Sequence, residues 1–118
     1  MPLPHRAILF EDARGERPVE LFLNRLPKRD RGKVVRNIAL LEEMGYRLPF
    51  SYCKKLVGTE LWELKTKYRT NEHRILFFYH GKNPILVSGF QKKTEDTPLG
   101  EIRVGEERMG EWKKRRGL

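Results

Sequence analysis

Cysteine is almost absent: the chain carries one, Cys53. That excludes an intramolecular disulfide, and with His5, His73 and His80 scattered along the chain, no Cys/His spacing suggests a zinc site. Cys53 reads as a small, half-buried apolar residue in a reducing compartment. No apolar run approaches the roughly 18 residues of a membrane span. The N-terminal MPLPHR is not followed by the apolar core of a signal peptide. No membrane association is expected, and the cytoplasm is the expected location. The chain also has no Gly-rich phosphate loop, no Gly-x-Ser-x-Gly nucleophile turn, no metal-ligating cluster and no supported pair of acids. Neither a metal ion nor a small-molecule cofactor is expected.

What is abundant is positive charge. Twenty-five Lys/Arg stand against 16 Asp/Glu, a net +9, and basic chains of this size often meet nucleic acid or an acidic protein. The excess is local: residues 54–93 hold nine Lys/Arg against three Asp/Glu, whereas residues 94–118 hold six of each. At 118 residues, 38% hydrophobic and 35% charged, the chain is expected to fold as one domain, 1–118, with one real core.

The patterning predicts an α+β fold. RAILFED, Arg6–Asp12, reads as a strand followed by a turn. Pro18 opens a short helix with Val19, Phe22, Leu23 and Leu26 on one side. Pro27 breaks it, and a second helix follows with Val34, Val35, Ile38, Leu41 and Met44 as its stripe and Gly45 as its stop. The two make a hairpin. A connector with a short extended piece at Tyr52–Leu56 leads into an antiparallel meander of three strands: Glu60–Tyr68, Glu72–His80 and Pro84–Gln91, the last two joined by a turn at Gly81–Asn83. Pro84 is tolerable at a strand start. Thr97-Pro98 is an N-cap and first helical residue with Glu101 as the acidic partner. In the terminal helix that follows, Leu99, Ile102, Met109 and Trp112 line one side, and Gly105 and Gly110 weaken the helix, so its far end is expected to fray. The hairpin covers one face of the sheet and leaves the other available.

Strand alternation places Glu63, Lys65 and Lys67 on one side of the first meander strand, and Arg74 shares its side with Glu72, Leu76, Phe78 and His80. Arg74 is a cation in a largely apolar strand, which is costly unless it is paired or meets an anion. Two readings stand: a cross-strand salt bridge to Glu63 or Glu72, or a phosphate site in which Lys65, Arg74, Lys92 and Lys93 surround one concave patch. Adjacent strand residues point to opposite faces, so Lys92 and Lys93 reach one site together only if the strand ends there. Such a patch suits RNA cleavage without a metal. The 2′-OH must lose a proton, the phosphorane's charge needs stabilising and the 5′-oxygen needs a proton. Phe78, Tyr79 and Phe90 are candidates for base stacking, against a plain reading as core. His73 points to the opposite face from Arg74 and reads as structural, and His80 reads as exposed.

LWELK at Leu61–Lys65, HRILFFY at His73–Tyr79 and ILVSGFQKKTEDTPLGEI at Ile85–Ile102 together resemble the HigB-like, often phage-associated, branch of the RelE/ParE toxin superfamily. The resemblance covers nearly the whole chain, with its specific part in Leu61–Ile102. It implies a RelE-like fold: a twisted sheet with a helical hairpin on one face and a cationic cleft on the other. It also implies the toxin of a type II toxin–antitoxin system, an endoribonuclease that cleaves mRNA on the ribosome and is neutralised by a helix-turn-helix antitoxin of the HigA-like kind. Carried over by position, the catalytic residues are Lys65, Arg74, Lys92 and Lys93; at Lys65 members of the family more often have Arg. Around them Lys67, Arg69, Phe90 and Gln91 are the expected RNA contacts. Ser88 stands where relatives often carry His, which leaves either weak catalysis or proton transfer by lysine; in the latter, Arg74 stabilises the phosphate, Lys65 orients it, and Lys92 or Lys93 moves the proton. Two alternatives stand beside this, a ParE-like toxin that binds DNA gyrase and a non-catalytic RNA-binding prophage protein.

Overall fold

A computed structural model describes residues 3–93 and 95–118. Met1, Pro2 and Thr94, the last residue of the Phe-x-Lys-Lys-Thr motif, lie outside the described residues. The elements run β1 (Ile8–Leu9), α1 (Pro18–Arg25), α2 (Lys28–Met44), a 3-10 turn (Gly45–Arg47), β2 (Cys53–Lys55), β3 (Trp62–Tyr68), β4 (Asn71–His80), β5 (Asn83–Lys92) and α3 (Leu99–Arg115). One sheet holds all five strands in the order β1-β5-β4-β3-β2.

The meander, the hairpin and the α+β class are as the sequence patterns predict, and the extended piece after the hairpin is an edge strand, β2, antiparallel to β3. The first strand differs. It is two residues long and runs parallel to β5, Ile8 opposite Ile85 and Leu9 opposite Leu86, so the sheet is mixed. It ends early because the chain turns at once: Asp12 Oδ1 accepts the N–H groups of Arg14 and Glu16, and Asp12 N–H donates to Glu16 O.

The hairpin packs Val19, Phe22, Val34 and Leu41 onto Leu64, Ile75, Phe77 and Leu86. Val35, expected in the stripe, is 48% exposed. Its place is taken by Asp30 and Asn37, which share the inward side with Val34 and Leu41 at three-to-four spacing. Both polar residues are satisfied across the layer. Asp30 Oδ2 accepts from His73 Nε2 at 2.7 Å and from Asn71 Nδ2 at 3.1 Å, and Asn37 Nδ2 donates to Lys65 O and Thr66 Oγ1. These bonds pin α2 beneath β3 and β4, and the bond from His73 holds the Asp30 carboxyl below its usual range. Gly45 stops α2 at φ +53, and a Cβ there would lie 2.4 Å from the His5 ring, so only glycine fits.

The other face is not left open. α3 crosses it and closes a second core of Phe10, Leu56, Leu61, Leu76, Phe78, Ile85, Val87, Phe90 and Trp112. Gly105 is buried at that crossing, where a Cβ would come 3.0 Å from Leu61 Cδ1; its lack of a side chain permits the close approach, and the helix runs past Gly110 to Arg115. Ile102, Met109 and Trp112 face the sheet, but Leu99 is 78% exposed. The helix starts one residue later than the Thr-Pro signal suggests. Pro98 is the N-cap and Thr97 makes no capping bond; its hydroxyl donates to Glu63 instead.

Candidate active site

Because α3 begins at Leu99 and crosses toward Trp112, it leaves uncovered the sheet end where β3, β4 and β5 present charge. Register sets the neighbours: Lys65 lies opposite Arg74, and Glu72 opposite Lys92. β5 ends at Lys92, which frees Lys93 from strand alternation, and both lysines line one cleft of about 690 Å³ with Thr70, Glu72, Arg74, Gln91 and Glu95. Three of the four expected catalytic cations, Arg74, Lys92 and Lys93, therefore meet. Lys65 flanks them across β3 and lines an adjoining groove together with Lys67.

Arg74 makes both salt bridges that the sequence offered as alternatives to an anion site. Its Nη2 donates to Glu72 Oε1 at 2.8 Å and its Nε lies 3.4 Å from Glu63 Oε1, while Nη1 donates to His73 O at 3.2 Å. The side chain is 7% exposed. Glu63, fully buried, is the centre of the site and was not among the expected site residues. Its Oε1 is also 3.9 Å from Lys92 Nζ and 4.0 Å from Lys54 Nζ, so one carboxylate holds three cations. Arg74 Nε and Glu63 Oε1 are both buried and, among the described residues, neither has a well-directed hydrogen-bond partner. A buried charge set of this kind is costly unless paired, and its geometry rather than its strength is what it contributes. The signal for Glu63 was present in β3, two residues from Lys65 on the same side and diagonal to Arg74. Lys54 was missed because it faces Glu63 only once β2 pairs with β3.

Lys65 has its pKa lowered, first by burial, then by the neighbouring charges of Lys54 and Arg74, with Glu63 opposing. Its ammonium lies 4.4 Å above the Phe50 ring. A lysine in this setting gives up its proton more readily than a free one and can act as a base.

The remaining expected contacts separate. Gln91 is exposed at the cleft rim and donates to Asn71 Oδ1. Arg69 sits in the β3–β4 turn with φ +56 and lines a different hollow, with Tyr68 and Asp30. Phe90 is 9% exposed and packs in the α3-side core, so its ring face is not free for a base. Phe78 is 2% exposed against Trp112. Tyr79 stacks 4.1 Å from Tyr46 on the hairpin face, where burial raises its phenol above the usual range. Strand aromatics filled cores because the sheet has a helical layer on both faces. Ser88 is buried beside Glu101, to which its hydroxyl donates at 3.3 Å. Cys53 is buried on the hairpin side, where burial pushes its thiol up to about 12. Among the described residues no group of three or more His, Cys, Asp or Glu is arranged for a metal ion, and no helix is long and apolar enough to cross a membrane.

Residues 21–110, a span that contains every residue of this cleft, match the family described as phage derived protein Gp49-like (DUF891). The chain belongs to this family. Among curated proteins, this Gp49-like chain is 30% identical over 60 residues to the probable endoribonuclease HigB1 of Mycobacterium tuberculosis, in strains CDC 1551 and H37Rv alike. That match covers 51% of the chain and 48% of the relative, so the chain spans about half the length of the curated relatives it matches. Both findings support the HigB-like branch of the RelE superfamily to which the motifs in β3, β4 and β5 pointed.

Proposed function

We propose that the chain is the toxin of a type II toxin–antitoxin pair and an endoribonuclease that cuts mRNA at the ribosome, opposed by a helix-turn-helix antitoxin. The observation that carries this reading is the pairing of Arg74, in the wall of a cationic cleft, with Lys65 opposite it on the flanking strand, the lysine's pKa being depressed.

In this reading the neutral Lys65 amine takes the proton of a ribose 2′-OH. The 2′-oxygen forms its bond to the adjacent phosphorus, and the bond from phosphorus to the 5′-oxygen breaks, giving a 2′,3′-cyclic phosphate and a 5′-OH. Arg74 bonds to the non-bridging oxygens, where charge grows in the phosphorane. Lys92, anchored by Glu63, adds positive potential, and Lys93 at the exposed rim delivers the proton to the departing 5′-oxygen. Lys67 and Gln91 hold flanking nucleotides.

Purified protein, free of antitoxin, is expected to cut mRNA on translating ribosomes, and Arg74→Ala to lower the rate about 100-fold or more, the usual cost of removing one oxyanion donor. Unchanged cutting by Arg74→Ala overturns the assignment, as does inhibition of gyrase supercoiling without RNA cleavage. A helix-turn-helix reading frame beside the gene is the expected partner.

A further inference from the structure

The aromatic side chains that the sequence offered for base stacking lie in the cores, yet an exposed aromatic pair borders the site from the connector that leads into β2. Phe50 is 73% exposed and Tyr52 37%. Both belong to a turn fixed by Tyr52 and Cys53 N–H donating to Pro49 O at 2.8 and 3.0 Å, and Tyr52 O is tied to Lys65 N–H at 2.7 Å. A single exposed phenylalanine means little. This one has the Lys65 ammonium over one face and the other face left to solvent. Beside it runs a groove of about 440 Å³ lined by Lys33 and Arg36 of α2, Ser51, Tyr52, Lys65 and Lys67. Among the described residues that line the groove none is acidic, unlike the cleft, where Glu72 and Glu95 offset the cations.

We propose that Phe50 and Tyr52 form a base-stacking subsite for single-stranded RNA, with Lys33, Arg36 and Lys67 holding the phosphates of the adjoining nucleotides. The inference rests on reading RNA as the substrate. Aromatic faces beside cations suit unpaired nucleotides, because every base has a π face and every linkage a negative charge. Lys65 joins the two regions: it stands opposite Arg74 and touches Phe50, so a strand threaded through the cleft continues over the aromatic turn and along α2.

The test is anisotropy of a short single-stranded oligonucleotide of 2′-O-methyl residues, which lacks the hydroxyl needed for cleavage, with the full-length protein. Phe50→Ala should weaken binding about tenfold, the scale of one lost stack. Phe50→Trp should restore it, with an indole signal quenched on binding. On an abasic oligonucleotide of equal length wild type and Phe50→Ala should bind alike. The double variant Lys33→Ala/Arg36→Ala should weaken both ligands and make the slope of log K against log salt shallower by about 1.4, two contacts at about 0.7 each. Equal binding of the base-bearing strand by wild type and Phe50→Ala overturns the proposal, as does an equal loss on the abasic strand. Arg74-dependent cleavage together with Phe50-independent binding refutes the subsite alone; Phe50-dependent binding without cleavage refutes the nuclease reading and leaves the subsite.

Discussion

The Glu63 carboxylate lies wholly buried 3.4 Å from the Arg74 guanidinium, and it is the only carboxylate within reach of Arg74, Lys92 and Lys54 together among the described residues. Neutralising it leaves those cations to repel one another with Arg74 and Lys92 nearly out of solvent. Glu63→Gln, which keeps the shape and an oxygen for Thr97, should therefore cost about 3 kcal/mol in urea denaturation, the low end for breaking a buried pair, since Lys54 is partly exposed and relaxes into water. A loss below about 0.5 kcal/mol would show that the cations are not held by this charge.

Glu72 has the opposite character. Its carboxylate, 46% exposed, occupies Arg74 Nη2 at 2.8 Å, the position that the proposed reaction assigns to a substrate phosphate. Arg74 holds the carboxyl below its usual pKa, so it stays charged and, in the proposed reaction, would compete with RNA. Glu72→Gln should lower KM for RNA several-fold with kcat little changed, while stability moves by less than about 1 kcal/mol, because the carboxylate is half exposed and Arg74 keeps Glu63 as a partner. A rise in KM would mean that Glu72 orients Arg74 rather than blocking it.

In the proposed reaction, proton removal by Lys65 brings a pH dependence of defined direction. The amine must be neutral to accept a proton, and burial with Lys54 and Arg74 nearby lowers its pKa from 10.5. Single-turnover cleavage should rise with pH and level off below that ordinary lysine value. Lys65→Arg, which keeps the charge but does not deprotonate, should abolish the rise and cost about 100-fold or more in rate. Because the unfolded chain binds that proton more tightly than the folded one, stability should also increase with pH across the same window.

Period and turn chemistry made much of this arrangement legible. Alternation in β3 and β4 put Lys65 and Arg74 on one side, and the strand end at Lys92 explains how Lys93 joins it. What the sequence did not disclose depends on contacts between distant segments. Glu63 looked like a surface residue because its burial is produced by Thr97 and by Lys54 arriving from the edge strand. The inward placement of Asp30 and Asn37 on α2 rests on partners, His73 and Thr66, that lie across the layer. Phe78 and Phe90 take the plain reading as core because α3 lies over them, and the glycine that permits this, Gly105, read locally as a weakness. Phe50, in a turn without period, gave no local signal.

Two glycines show how that context decides the sign of one substitution. Gly110 lies inside α3 with nothing within 4 Å of an added Cβ, so Gly110→Ala should stabilise by about 1 kcal/mol through helix propensity alone. Gly89 lies in β5 on the hairpin side, where an added Cβ would sit 2.4 Å from Phe22 Cδ2 and 2.7 Å from Cγ. Phe22 is 6% exposed among Val19, Val34 and Ile75, and its ring cannot yield without moving α1. Gly89→Ala should then destabilise by about 2 kcal/mol, the cost of overpacking a filled core, and relief should follow when Phe22→Leu is added. If thermal denaturation showed Gly89→Ala to be as stable as wild type, α1 would have to be loosely seated, and the hairpin face could not serve as the rigid support that holds Arg74 opposite Lys65.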